Sequence, residues 1–263
     1  MSGAKKITKG AQTWLYPLPA LLVGTIVDGK PNFMTAAWGS IANAEPPMLC
    51  VAIRRSRHSR KGIQEDGEFS INVASASQAR QVDFCGIESG ARVDKVSRCG
   101  FTVFYGSLEA APLIHECPLN LECRVSQIVE LPTHSLVIAT IVQTHVSEDC
   151  LTAGNIDTAK LDPIVYVTSP TRKYARLGEH VADAFSADGS TIADVVERLA
   201  EREMGQLGLH GDVPFVARRD LGIEKLVQEL EVGPVMLGCL LGHGIQALGD
   251  LRQLEPGQVR VYS

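Results

Sequence analysis

Six consecutive residues, Arg54-Arg55-Ser56-Arg57-His58-Ser59, gather guanidinium groups, hydroxyls and an imidazole in one place. Guanidinium forks hold phosphate oxygens bidentately and serine hydroxyls add further donors. Arg54, Ser56, Arg57, His58 and Ser59 are therefore candidate phosphate ligands. A short helical pattern opens near Ser59, a candidate N-cap, and a helix start there would aim free N–H groups at the same anion. A solvated basic loop is the competing reading of this cluster. A second stretch, 31–40, is strand-like but carries small and polar residues where a core strand would carry Val and Ile. Asn32, Thr35, Ala36, Ala37 and Ser40 would allow backbone and polar groups close to a flat ring, with Met34 and Trp38 as apolar cover. A sheet face packed on a helix through small residues would look the same. In a third stretch, 86–95, the Ser89-Gly90 turn offers N–H groups. Lys95 could neutralise charge arising at a ring edge on reduction. Asp94 beside it would pair with a basic group or face water. Together the segments suggest a floor and a clamp for a flat, phosphorylated cofactor.

The chain that must position them has 263 residues, enough for a full core, and a net charge of −5. That balance gives no sign of a nucleic-acid or membrane-surface partner. No apolar run approaches the ~20 residues that span a bilayer. The basic start, Met-Ser-Gly-Ala-Lys-Lys, is followed by no apolar segment with a cleavage site, so no signal peptide is expected. The seven cysteines form no C-x-x-C pair. This points to free thiols in a reducing cytoplasm, against a disulfide framework or a zinc site. His115, His134 and His180 have no metal-binding spacing.

Leu21 to Val27 reads as a strand ended by Asp28-Gly29, a hairpin signal. Further strands are predicted over 33–42, 48–53, 69–73, 119–130, 135–145 and 164–168. Short helices are predicted over 56–66, 77–84 and 92–98, and an amphipathic closing helix over 172–185. Hairpin-linked strands dominate and βαβ alternation is absent. The expected fold is mainly β, an antiparallel barrel with peripheral helices, because closure removes exposed edges. Residues 1–186 form this domain in our reading. Residues 187–263 are a small, mostly helical extension, with a helix over 191–204 and no assigned role.

Five segments in order carry a resemblance: Asn32-Phe33-Met34-Thr35-Ala36-Ala37-Trp38, Pro46-Pro47-Met48, Arg54-Arg55-Ser56-Arg57-His58-Ser59, Ser89-Gly90-Ala91-Arg92-Val93-Asp94-Lys95 and Glu116-Cys117-Pro118-Leu119-Asn120-Leu121-Glu122-Cys123. From about residue 14 to 186 the chain resembles the flavin reductase-like family of the flavoredoxin type, with its FMN-binding split barrel. The resemblance implies a homodimer holding FMN near the subunit interface, with the phosphate on the Arg/Ser cluster. It implies hydride transfer from NAD(P)H to the flavin and electron delivery to a small-molecule or protein acceptor. An electron carrier reduced by a partner protein is the alternative. His145 stands where some relatives place a histidine near the flavin, and is the candidate to bind an acceptor or gate a proton. A satisfied barrel histidine is the other reading. The family often has Pro-Ser-Arg-Tyr-Ser where this chain has Arg55-Ser56-Arg57-His58-Ser59.

Gly242-His243-Gly244-Ile245-Gln246-Ala247 fits the dinucleotide fingerprint, but 263 − 247 leaves sixteen residues after it. A βαβ unit of ~30 residues with an acidic residue ~20 positions on cannot be completed there, so this is not read as a nucleotide site.

Overall fold

The computed structural model describes residues 4–182 and 184. Met1–Thr152 with Ile156–Leu177 form one compact unit, and Ala153–Asn155 with Gly178–Ser263 are assigned to a second. The helix expected over 191–204, the rest of the extension and the 242–247 motif lie outside the described residues.

The first unit is built on seven strands: β1 (Leu21–Val27), β2 (Lys30–Ala36), β3 (Gly39–Asn43), β4 (Met48–Arg54), β5 (Glu68–Val73), β6 (Leu119–Glu130) and β7 (His134–Val146). Asp28 (φ 51°) and Gly29 (φ 73°) make the left-handed turn that folds β1 back on β2. The strands pair in the order β2-β1-β5-β6-β7-β4-β3, every neighbour antiparallel. The two end strands of that order, β2 and β3, are joined by Ala37-Trp38 alone. A link that short obliges the sheet to curl until its end strands approach without pairing, which makes a barrel split between β2 and β3. Ala52 N–H closes the corner by donating to the Trp38 carbonyl at 2.7 Å. The single strand expected over 33–42 is thus two strands with a corner between them.

Alternation along the strands fills two cores. Val23, Met34, Leu49, Val51, Ile53, Phe69, Ile71 and Val137 pack inside the barrel. Leu22, Phe33, Ala74, Val82, Cys85, Phe101 and Ile114 pack outside it, under the helices. Each fully buried Val, Leu, Ile or Phe side chain among them contributes about 1.5–3 kcal/mol.

Three helices cover this frame: α1 (Ser59–Asp66), α2 (Ala79–Ile87) and α3 (Lys95–Cys99). Ser59 is not the N-cap of α1; that place is His58, without a side-chain cap bond. The helix expected over 92–98 begins later, because Asp94 caps α3 by accepting from the Ser97 N–H at 3.1 Å. This hydrogen bond is the answer to what Asp94 does.

The closing helix expected over 172–185 is absent from its described part. Lys173–Arg176 is a strand antiparallel to Ile164–Val167, which also pairs with Leu18–Pro19. The turn at Thr168–Arg172, where Arg172 has φ 52°, reverses the chain. Tyr174 then lies opposite Tyr166, ring centroids 5.6 Å apart, and its hydroxyl donates to Asp83 at 3.3 Å. Aromatic pairing across strands outweighs the helical periodicity. Among the described residues no helix is long and apolar enough to cross a membrane, and no three His, Cys, Asp or Glu side chains converge as a metal site.

Candidate functional site

The turn after β4 and the start of α1 form one wall of a cavity of about 270 Å³, with Arg54, Ser56, Arg57, His58 and Ser59. The loop from α2 to α3 forms the other, with Glu88, Ser89, Gly90 and Lys95. Asn32 and Met34, two residues apart and so on one face of β2, line it between them.

Asn32 joins the walls. Its Nδ2 donates to Ser59 Oγ at 2.7 Å, and both side chains are buried. Gly90 lies so close to Asn32 that a Cβ there would collide with the Asn32 amide oxygen, with His58 Cδ2 at 3.2 Å beyond. Arg57 Nη1 donates to the Gly86 carbonyl at 2.9 Å, tying the basic turn to the end of α2. Lys95 is 4 % exposed, with Nζ donating to the carbonyls of Phe33 at 2.8 Å and Cys85 at 2.9 Å. An ammonium has three donors, so one is left over. Burial pushes this ammonium below the usual lysine range, and Arg57 pushes the same way. An anion in the cavity would relieve both effects.

The lining holds Arg54, Arg57 and Lys95 against one carboxylate, Glu88. Glu88 reaches Arg92 at 3.7 Å, a pair too exposed to count for much. Glu88 was not singled out from the sequence, and an acid beside a proposed phosphate clamp gives no signal by type. Arg55 turns away from the cavity to Glu130 at 3.1 Å, and Arg60 also reaches Glu130, at 2.7 Å.

Ten of the candidate residues therefore share one cavity: Asn32, Met34, Arg54, Ser56, Arg57, His58, Ser59, Ser89, Gly90 and Lys95. Thr35, Ala36, Ala37, Trp38 and Ser40 are not in its lining. Thr35 Oγ1 donates to the Val82 carbonyl, and Ala36 is packed in the barrel interior. Trp38 is 41 % exposed at the corner, its ring 4.8 Å from that of His134. Ser40 is exposed on β3 and donates to the Ile41 carbonyl at 3.1 Å.

His145 also lies outside the lining. Its Nε2 is 2.7 Å from Oε1 of Glu122, which is fully buried, and its ring stands edge-on to Phe104. Glu122 Oε2 accepts from the Leu108 N–H at 2.6 Å. Burial would raise this carboxyl, but the bonds from His145 and from the backbone of Ser107 and Leu108 prevail and hold it below the usual range. The arrangement fixes the imidazole and leaves its other nitrogen for a further contact.

The crystal structure of flavoredoxin from Methanosarcina acetivorans matches with a TM-score of 0.67 at 39% identity, covering 70% of this chain and 97% of that one. An uncharacterised protein of Archaeoglobus fulgidus is 38% identical over 133 residues, 50% of this chain and 75% of its own. More distantly, the flavin reductase (NADH) of Kitasatospora aureofaciens is 28% identical over 144 residues, 49% of this chain and 69% of that one. Residues 14–175 match the flavin reductase like domain, and with the split barrel in place the chain belongs to that family.

Proposed function

We propose that this protein is an FMN-dependent oxidoreductase of the flavin or ferric reductase kind, taking reducing equivalents from NAD(P)H. The observation that carries the reading is the convergence of three cationic side chains and three serine hydroxyls from separate walls on one cavity. Arg54, Ser56, Arg57 and Ser59 suit a phosphate, which demands bidentate forks and hydroxyl donors together. The first turn of α1, which carries no acidic residue, adds its positive end. Met34 suits apolar contact, while Ser89 and Gly90 suit polar ring atoms. The spare donor of Lys95 suits a ring edge that gains negative charge. When bound, FMN supplies the redox chemistry, accepting a hydride and passing electrons on.

A second reading, an FMN electron carrier reduced by a partner protein, is favoured by the 39% identity to a flavoredoxin. Anaerobic addition of NADH and NADPH to the purified holoprotein separates the two. Bleaching of the flavin absorbance by either nucleotide supports the reductase; a flavin that stays oxidised until a protein donor is added supports the carrier. A colourless protein that takes up no FMN on titration refutes both.

A homodimer is part of the proposal: β3 ends the pairing order, and Ile41 on it is 67% exposed. Sedimentation equilibrium tests this. The reducing cytoplasm is the compartment that suits the free cysteines among the described residues.

A further inference from the structure

Two thiols meet where α2 and α3 touch, beside the cavity but outside it. Cys85 Sγ on α2 and Cys99 Sγ on α3 are 3.9 Å apart. Cys85 is fully buried in the outer core, whereas Cys99 is half-buried and within reach of a small solute. The same two helices hold much of the cavity. The carbonyl of Cys85 accepts from Lys95 Nζ, and the next carbonyl, Gly86, accepts from Arg57. Glu88, Ser89 and Gly90 follow directly from α2, and Lys95 opens α3.

We infer that Cys85 and Cys99 form a reversible redox pair, and that their oxidation by a hydroperoxide to a disulfide reshapes the cavity and loosens its ligand. A disulfide holds its sulfurs at about 2.05 Å, so the pair must close by nearly two ångströms. Cys85 is fully buried in the core cluster that also holds Phe33, Ala74 and Val82 and cannot swing freely, so part of that closure falls on the α2–α3 contact. Such a shift pulls on the Lys95 and Arg57 hydrogen bonds together.

The chemistry balances in two steps. The Cys99 thiolate attacks one peroxide oxygen, breaking the O–O bond, to give a sulfenic acid and hydroxide. The Cys85 thiol then displaces water from that sulfenic acid, forming the S–S bond. In sum two thiols and one hydroperoxide, here hydrogen peroxide, give a disulfide and two waters: sulfur loses two electrons and the peroxide gains them. Burial pushes the Cys99 thiol up, so the first step gains speed as the solution is made alkaline.

The test uses the full chain, reduced, desalted and exposed to hydrogen peroxide at mildly alkaline pH. Alkylation and peptide mass mapping read the linkage, and flavin fluorescence titration reads FMN affinity before oxidation, after it and after dithiothreitol. The expected result is a Cys85–Cys99 cross-linked peptide two hydrogens lighter than its parts. FMN binding should weaken about tenfold, the worth of one charged hydrogen bond, and recover on reduction. Cys99→Ser, at a half-exposed site that tolerates it, should keep its FMN affinity through the same treatment. No cross-link, a cross-link without loss of affinity, or an equal loss in Cys99→Ser would overturn the inference. The affinity readout rests on the proposed cofactor whereas the linkage does not. A reduced wild type that binds no FMN therefore fails the cofactor reading, and the linkage is still decided by mass.

Discussion

Replacing Arg57 by alanine is the most direct trial of the phosphate clamp. Arg57 is half-buried in the cavity wall, with one guanidinium nitrogen engaged by the Gly86 carbonyl at 2.9 Å. That bond orients the fork and leaves the remaining donors for an anion. A hydrogen bond to a charged group is worth about 1.5–3 kcal/mol, so Arg57→Ala should weaken FMN binding about ten- to a hundredfold. Arg92 is the control, because its side chain is 72 % exposed and its partner Glu88 lies 3.7 Å away. Arg92→Ala should change binding by no more than about 0.5 kcal/mol, roughly twofold. Fluorescence titration of apoprotein with FMN gives both numbers. Since Arg57 also ties the turn to α2, thermal melts without FMN must accompany the titration, and Arg57→Lys adds a third arm. Lysine keeps the charge but loses the fork, so it should recover only part of the affinity. Binding to the wild type should also weaken with added salt more steeply than binding to Arg57→Ala. Equal, small losses for Arg57→Ala and Arg92→Ala, with melts unchanged, would show that the phosphate lies elsewhere.

Gly90→Ala should also weaken FMN binding, since the new methyl displaces the Asn32 amide and with it the bond to Ser59; unchanged titration would mean Asn32 does not join the walls. Gly62→Ala tests the frame rather than the site. Its Cβ would strike the backbone carbonyl of Ile26, forcing α1 off β1 at a cost of about 1–3 kcal/mol, visible as a lower denaturation midpoint. Acid unfolding tests Glu122. Its carboxyl is held below the usual range, so the stability it adds is present above the unfolded value of about 4.3 and is lost as pH falls through the lower folded value. His145→Ala removes one of the bonds that depress it, so the acid transition should move to higher pH, with about 1–3 kcal/mol lost near neutrality. A transition that stays in place would mean the backbone donors alone set the carboxyl.

What could be read from the chain followed the range of the forces concerned. Asp28-Gly29 is a local signal, and β1 and the turn after it lie where they were expected, while β2 begins three residues before the strand expected from residue 33. The basic cluster is contiguous, so its members had to stand near one another wherever the turn went. The corner at Ala37-Trp38 was not legible, because nothing in those two residues forbids a continuous strand; barrel closure is what bends them. Residues 173–176 carry a helical period, and only Tyr166, Asp83 and the turn at 168–172 explain why they pair as a strand. The Glu122–His145 contact was beyond reach for the same reason. Gln143 is the register partner of Glu122 and Asn120 that of His145, so the two meet diagonally across β6 and β7. A one-residue slip would send them to opposite faces.

The split in the barrel explains why the cavity is where it is. β2 is an end strand, so one of its sides lacks a neighbouring ladder to satisfy its backbone. Lys95 covers part of that edge by binding the Phe33 carbonyl, which draws a cation into a position that burial would otherwise forbid. Alternation does the rest. Phe33 anchors the strand in the outer core and Thr35 binds α2, while on the opposite face Met34 packs in the barrel core and, with Asn32, lines the cavity from the same stretch of backbone. Closing the barrel by pairing β2 with β3 would satisfy the edge and remove the reason for Lys95 to be buried. The incomplete closure is thus what places a buried ammonium, two hydroxyl-bearing turns and an arginine fork around one space.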